Sequence, residues 1–173
     1  MKRTFTAGIT AIALLFATAC KAQEDKSQRP SPPATASQKT ADVMITIDYS
    51  QPSVKGRTIG VDLEPMEGQV WRTGANEATT FQVDKDVKVE GKALPAGKYG
   101  LFTIKNGNTW TIIFNKTWKQ WGAFSYKEAD DVLRVTAEDQ KAEPFAEKLT
   151  FTVSPQGVVT LVWGDHKVSF RVN

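Results

Sequence analysis

The fold is organised around residues 69–81, which read Gln69-Val70-Trp71-Arg72-Thr73-Gly74-Ala75-Asn76-Glu77-Ala78-Thr79-Thr80-Phe81. This stretch combines an aromatic ring, a guanidinium, a glycine, an amide and a carboxylate, and then continues into a strand pattern. Gly74 favours a turn, because glycine adopts positive φ without steric cost. Such a turn returns Asn76 and Glu77 towards Arg72. We therefore expect Glu77 to form a structural ion pair with Arg72 or with Arg57.

Alternation of apolar and polar residues with a period of two predicts short strands on both sides of this stretch. The clearest are residues 43–49, 78–83, 98–105, 109–115, 147–153 and 158–163. Asn106-Gly107-Asn108 and Gly164-Asp165 are typical hairpin loops, and residues 127–131 have the composition of a helical turn. About nine short strands without a long helix predict one all-β domain. We expect a jelly-roll-like antiparallel β-sandwich, with a β-barrel as the alternative.

The N-terminal residues have the pattern of a lipoprotein signal peptide. Two cations precede an apolar run from Ala7 to Phe16, and small residues then lead to Cys20, the only cysteine in the chain. A lone cysteine at this point is typical of a bacterial lipobox, in which the thiol accepts a diacylglycerol. We predict a signal peptide over residues 1–19 and a lipidated, palmitate-bearing Cys20. Ordinary cleavage after Ala17-Thr18-Ala19 is the alternative.

The next segment, residues 20–42, is rich in Pro, Ser and Gln and reads as a tether to a β-domain over residues 43–173. Residues 21–30 are expected to be disordered and dispensable for folding, because they offer almost no apolar surface. Glu24 and Asp25 resemble the acidic signal that exports some bacterial lipoproteins to the outer membrane. We therefore expect a protein of the cell envelope, anchored in the outer membrane by its lipid and facing the periplasm or the cell surface.

Composition argues against several kinds of chemistry. Removing residues 1–19 takes away two cations and lowers the net charge from +3 to +1, which gives no electrostatic case for nucleic acid. The only histidine, His166, falls at a predicted hairpin turn, where we expect it to be solvated. With Cys20 lipidated, clusters of His and Cys for a metal and Cys–His or Ser–His–Asp catalytic groups are not expected. We expect no metal and no cofactor, and we assign no catalytic residue.

Carboxylates and loop tryptophans remain as candidate functional groups. Asp48, Asp62 and Glu77 fall near the central stretch, and two carboxylates across a cleft would suit a glycoside hydrolase. Trp118 and Trp121 lie in a segment with poor periodicity beside lysines and an amide. Flat indole faces in such surroundings suit sugar rings or peptides. The alternative is an aromatic cluster that covers one end of the sandwich.

The leading hypothesis is a non-enzymatic binding or accessory module for a glycan or a peptide. The residues predicted to contact the ligand are Arg57, Trp71, Arg72, Asn76, Glu77, Trp118 and Trp121. A carboxylate-dependent glycan hydrolase is the second hypothesis, and a structural or assembly protein of the envelope is the third. The first two differ in whether Glu77 faces Asp48 or Asp62 across an open cleft. The oligomeric state is not encoded in any pattern that we recognise.

Six segments carry longer motifs: Ser31–Ser37, Ile47–Arg57, Val70–Thr80, Leu94–Tyr99, Trp110–Lys116 and Gln120–Ala123. Together they resemble a family of secreted bacterial proteins catalogued as domain of unknown function 2911, and the likeness covers nearly everything after Arg29. The resemblance implies a compact β-domain and carries no activity. Because it includes Ser31-Pro32-Pro33, it also implies that residues 31–42 lie along the domain.

Overall fold

A computed structural model describes residues 25–173 of the chain. The predicted signal peptide, Cys20 and residues 21–24 of the predicted tether lie outside the described residues. The strands are β1 (Pro33–Lys39), β2 (Met44–Ser50), β3 (Val70–Trp71), β4 (Thr80–Val83), β5 (Val87–Val89), β6 (Lys92–Leu94), β7 (Gly97–Asn106), β8 (Thr109–Asn115), β9 (Asp131–Val153) and β10 (Val158–Arg171). Single-turn 3-10 helices lie at Lys26–Gln28 and Glu128–Asp130. No helix in residues 25–173 has the length and apolarity needed to cross a membrane.

Eight of the strands form one antiparallel sheet in the order β1-β2-β4-β7-β8-β9-β10, with β3 paired to β7. β9 is long enough to pair with two other strands along its length. Its residues 131–138 pair with β8, and its residues 139–153 pair with β10. β5 and β6 form a separate hairpin that meets the end of β10 at Val89 and Val172.

The large sheet curls until the segment after β2 reaches β9. The Leu149 N–H donates to Pro52 O at 3.1 Å, and the Val54 N–H donates to Glu147 O at 2.9 Å. The all-β prediction is therefore confirmed. A curled antiparallel sheet of this kind is compatible with both the sandwich and the barrel alternative.

The main core packs on one face of the curled sheet, as the period-two patterns predict. On β2, Ile45 and Ile47 are fully buried, whereas the alternate residues Met44 and Thr46 are not. Successive side chains of a strand point to opposite faces, so the apolar set falls on one side. A smaller cluster of Ala78, Phe102 and Ile113 lies apart from this core. Its strand residues alternate with core residues and therefore cover the opposite face.

The predicted domain boundary at residue 43 is too late, because β1 lies within the predicted tether. It pairs with β2 from Pro33 opposite Ser50 to Lys39 opposite Met44. β1 contains no large apolar residue, and only its two alanines pack against the core as half-buried side chains. Backbone pairing therefore holds this edge strand, and backbone pairing leaves little trace in composition.

The predicted hairpin at Gly164-Asp165 is wrong. Both residues lie inside β10, where the pairing with β9 shifts register on each side of Gly164. Gly164 has φ +61°, the left-handed conformation that one kind of β-bulge places on a glycine. The odd-numbered residues are buried before the bulge, up to Trp163, and the even-numbered residues are buried after it, from Val168. In the sequence, this change of phase looks like a break between two strands. The hairpin loop after Asn106 and the helical turn at Glu128–Asp130 agree with the predictions.

Candidate functional site

The central turn at residues 73–76 connects β3 to the candidate site. Positive φ falls on Thr73 (53°) and Asn76 (57°), whereas the sequence predicted it at Gly74. Gly74 is required by space instead, because a Cβ there would lie 2.8 Å from Thr79 Oγ1 and 3.1 Å from Ser50 O. Trp71 Nε1 donates to Gly74 O at 3.0 Å, and Thr79 Oγ1 donates to Thr73 O at 2.9 Å. These bonds fix the direction in which residue 77 leaves the turn.

Glu77 leaves this turn towards the N-terminal segment. Lys26 Nζ lies 2.7 Å from Glu77 Oε1, and Arg29 Nη1 lies 2.9 Å from Oε2 and 3.1 Å from Oε1. The predicted pairing of Glu77 with Arg72 or Arg57 is therefore wrong. Residues 25–30, expected to be disordered, instead form a turn that carries both cations, and Asp25 caps it.

The ion pairs set the charge state of Glu77. Partial burial opposes its ionisation, but hydrogen bonds from Lys26, from its own backbone N–H and from Arg29 outweigh burial and lower its pKa from 4.5 to about 2. The carboxyl group is therefore ionised at neutral pH. A general acid in glycoside hydrolysis needs the opposite shift, so Glu77 is unsuited to donate a proton.

Glu77 and Asp48 line the same open cleft, whose volume is about 180 Å³. Asp48 accepts a hydrogen bond from Thr35 Oγ1 at 2.9 Å and pairs with Lys98 Nζ at 3.4 Å. Asp62 does not line this cleft, and its carboxylate accepts the backbone N–H of Thr58 at 2.9 Å. Three cations and two carboxylates line the cleft, which leaves it with one net positive charge: Lys26, Arg29, Lys98, Asp48 and Glu77.

Trp118 and Trp121 lie beside the cleft, and each indole ring lies next to one of the cations that line it. Lys98 Nζ is 5.0 Å from the Trp118 ring centroid, and the Arg29 guanidinium is 5.8 Å from the Trp121 ring centroid. The two residues are 38% and 54% exposed, and Phe124 in the same loop is more exposed still. Both tryptophans lie between the end of β8 at Asn115 and the 3-10 turn at Glu128, so the prediction that they lie in a loop is confirmed.

Backbone hydrogen bonds hold the tryptophan loop against the central stretch. The Ala78 N–H donates to Gln120 O at 3.0 Å, and the Gly122 N–H donates to Asn76 O at 2.9 Å. The Asn76 side chain, also predicted as a ligand contact, donates from Nδ2 to Ser31 O at 3.0 Å. Asn76 is therefore occupied in joining the N-terminal segment to the turn and the loop. The relative positions of Glu77 and the indole rings are fixed by these bonds.

The other three predicted contact residues, Arg57, Trp71 and Arg72, line a second cavity of about 200 Å³. Trp71 is only 2% exposed, so it belongs to the core and forms part of the cavity wall. Arg57 donates from Nε to Val54 O at 3.1 Å and from Nη2 to Ser53 O at 2.7 Å. Six of the seven predicted residues thus lie at or beside one of two cavities, and Asn76 lines neither of them.

His166 is not the solvated turn residue that the sequence predicted. Its Nδ1 lies 2.7 Å from Asp139 Oδ2, and its ring packs edge-on against Trp110 at 5.7 Å between centroids. His166 also lines a cavity of about 270 Å³ that includes Thr58 and Arg57. No hydroxyl within residues 25–173 is hydrogen-bonded to the His166 ring. No pattern in the sequence indicates this pair, because Asp139 lies 27 positions away on the neighbouring strand.

A metal centre finds no support among residues 25–173, where no group of three or more His, Cys, Asp or Glu side chains is placed to hold an ion. The isolated carboxylates described above are each bonded to cations or backbone N–H groups.

Comparison with known proteins identifies the class of the chain. A family model described as "Protein of unknown function (DUF2911)" matches residues 31–172, and the chain belongs to that family. The match begins two residues before β1, in agreement with the corrected domain boundary. Searches of curated proteins and of solved structures gave no match.

Proposed function

We propose that this protein is a non-enzymatic binding module of the bacterial cell envelope and that the cleft between Glu77 and Asp48 binds a glycan. The observation that supports this proposal is the pair of exposed indole rings, Trp118 and Trp121, fixed beside that cleft. Indole faces stack on the apolar faces of sugar rings, and charged or polar groups nearby bind the hydroxyl groups.

The charges of the cleft favour binding over catalysis. Each carboxylate is held by cations, Glu77 by Lys26 and Arg29 and Asp48 by Lys98. Glu77, clamped in this way, is a poor general base, because its lone pairs are engaged and its lowered pKa weakens its affinity for a proton. The same clamps hold donors and acceptors in fixed positions, which lowers the entropic cost of binding a polar ligand.

A screen against envelope glycans, peptidoglycan fragments and peptides tests the proposal. The protein should begin no later than Lys21, so that Lys26 and Arg29 remain opposite Glu77. We expect glycan binding that weakens when Trp118 or Trp121 is replaced by alanine. Binding of peptides alone would instead support the peptide alternative, and no binding of either class would overturn the proposal.

A carboxylate-dependent glycan hydrolase is a second candidate, because Asp48 and Glu77 share one open cleft. Release of reducing sugar measured in the same screen separates the two functions. We expect no release above that of a Glu77→Gln variant. Release that depends on both Asp48 and Glu77 would establish the hydrolase instead.

The proposed location rests on Cys20, which we infer to carry the lipid that anchors the protein in the outer membrane. Replacement of Cys20 by alanine is expected to leave a soluble or unprocessed protein. Partition of the protein between membrane and soluble fractions measures this effect. Unchanged partition together with unchanged cleavage would show that the anchor is not at Cys20.

A further inference from the structure

Arg72 does not line the proposed glycan cleft, and nothing in that cleft accounts for its partly buried charge. It is about half-buried, and its Nε atom is buried without a hydrogen-bond partner. Within the described part of the chain, its guanidinium has no ion pair. Burial of an unpaired charge is unfavourable, so a partly buried arginine normally has an anionic partner. Burial also lowers the pKa of Arg72 below its ordinary value, although Glu64 opposes this effect.

Glu64 does not supply that partner. It lines the same cavity and acts on Arg72 electrostatically, but the two do not form an ion pair. Its Oε2 accepts the backbone N–H of Met66 at 2.8 Å, which ties the carboxylate to its own loop. Because Arg57 also lines the cavity, its lining contains two cations against one carboxylate.

The tryptophan N–H groups of this cavity are already used. Trp71 Nε1 donates to Gly74 O at 3.0 Å, and Trp163 Nε1 donates to Glu64 O at 2.8 Å. These bonds hold Glu64's backbone and the central turn in place around the cavity. The donors left for a ligand are therefore guanidinium N–H groups, which match the oxygens of a carboxylate or a phosphate.

We propose that the cavity between Arg57 and Arg72 is a binding site for a small oxyanion group, a carboxylate or a phosphate, whose oxygens accept hydrogen bonds from Arg72. The volume of about 200 Å³ holds such a group with a few further atoms. The site is separate from the cleft of Glu77 and Asp48 and does not require a glycan there. It explains why Arg72 stays partly buried without an ion pair to any residue from 25 to 173: the ligand supplies the missing charge.

Titration of the full-length protein with sodium acetate and with inorganic phosphate tests this inference, at constant ionic strength against sodium chloride. Isothermal titration calorimetry measures the affinity. We expect saturable binding of at least one of the two anions, and the preferred anion identifies carboxylate or phosphate as the ligand group. Arg72→Gln is expected to weaken that binding about tenfold or more, because it removes charged hydrogen bonds. Arg72→Lys keeps the charge but loses the planar fork, and is expected to weaken it less.

Arg171→Gln is the matched control. It removes the same charge from an exposed residue at the end of β10 that does not line this cavity. Binding retained in Arg171→Gln and lost in Arg72→Gln supports the site. We also expect Arg72→Gln to melt at the same temperature as the wild type or higher in the absence of anion. Failure of both anions to bind saturably, an equal loss in the two glutamine variants, or a clear drop in the melting temperature of Arg72→Gln would overturn the inference.

Discussion

Glu77→Gln is the substitution whose effect the structure predicts in most detail. Gln has nearly the same shape as Glu, but it cannot form the ion pairs that Glu77 makes with Lys26 and Arg29. These two pairs join the N-terminal segment to the central turn. We therefore expect Glu77→Gln to lower the free energy of unfolding at neutral pH.

The magnitude follows from the pKa of Glu77 and from its exposure. A shift from 4.5 to about 2 gives an upper limit of about 3 kcal/mol, at about 1.4 kcal/mol per pKa unit. The Glu77 side chain is 40% exposed, so solvent screens both pairs. We therefore expect a loss of about 1 kcal/mol, and at most about 2 kcal/mol. The loss of 3–5 kcal/mol that would follow for a fully buried pair is not expected.

The pH dependence has a definite sign. The pKa of Glu77 is lower in the folded state than in the unfolded state, so its contribution is complete above about pH 4.5 and is lost as the pH falls towards 2. Urea unfolding at pH 7 and at pH 3 measures the gap between wild type and Glu77→Gln. We expect the gap to shrink to less than half by about pH 3.

Glu138→Gln is the control for that experiment. Glu138 is exposed on β9 and has no ion pair within residues 25–173, so its substitution should change stability very little at either pH. A gap for Glu77→Gln that stays constant between pH 7 and pH 3, or that is no larger than the Glu138→Gln effect, would refute the reasoning.

Two further predictions concern the fold. Gly74→Ala should lower the free energy of unfolding by about 1–3 kcal/mol, because the added Cβ would lie 2.8 Å from Thr79 Oγ1; an unchanged thermal midpoint would contradict the close approach. A chain that starts at Val43 lacks β1 and leaves β2 as an unprotected edge, so it should melt lower and aggregate more readily than a chain that starts at Ser31. Equal melting and solubility of the two truncated chains would show that β1 is dispensable.

Side-chain periodicity made much of the sheet predictable. β2 and the first half of β8 alternate buried and less buried residues closely enough for the pattern to identify them, whereas residues 99–103 of β7 and 112–115 of β8 are buried without a break. β1 escaped because its stability comes from backbone pairing and two small alanines. β10 was divided in two because its bulge at Gly164 reverses the buried face, and a reversal of face has the same appearance in sequence as a turn.

The candidate site was predictable in its residue types and much less so in its pairings. Poor periodicity around Trp118 and Trp121 correctly indicated a loop, and both rings are accessible. The partners of Glu77 lie 51 and 48 positions earlier, in a segment that contains almost no apolar residue. A partly buried charge needs an oppositely charged partner, so partners were expected for Glu77 and for Arg72. The sequence does not specify which residue lies close enough to be that partner. Only the course of the chain determines that, within residues 25–173, Glu77 pairs with two cations and Arg72 pairs with no carboxylate.

The most direct test of the binding proposal is the affinity of the best glycan from the screen for four proteins: wild type, Trp118→Ala, Trp121→Ala and Phe145→Ala. Phe145 is also an exposed aromatic, but it lies on β9 beside the cavity of His166. The proposal predicts that each tryptophan variant weakens binding about tenfold or more, whereas Phe145→Ala leaves it unchanged. Equal affinity of all four proteins for the glycan would contradict the assignment of the cleft beside Trp118 and Trp121 as the binding site.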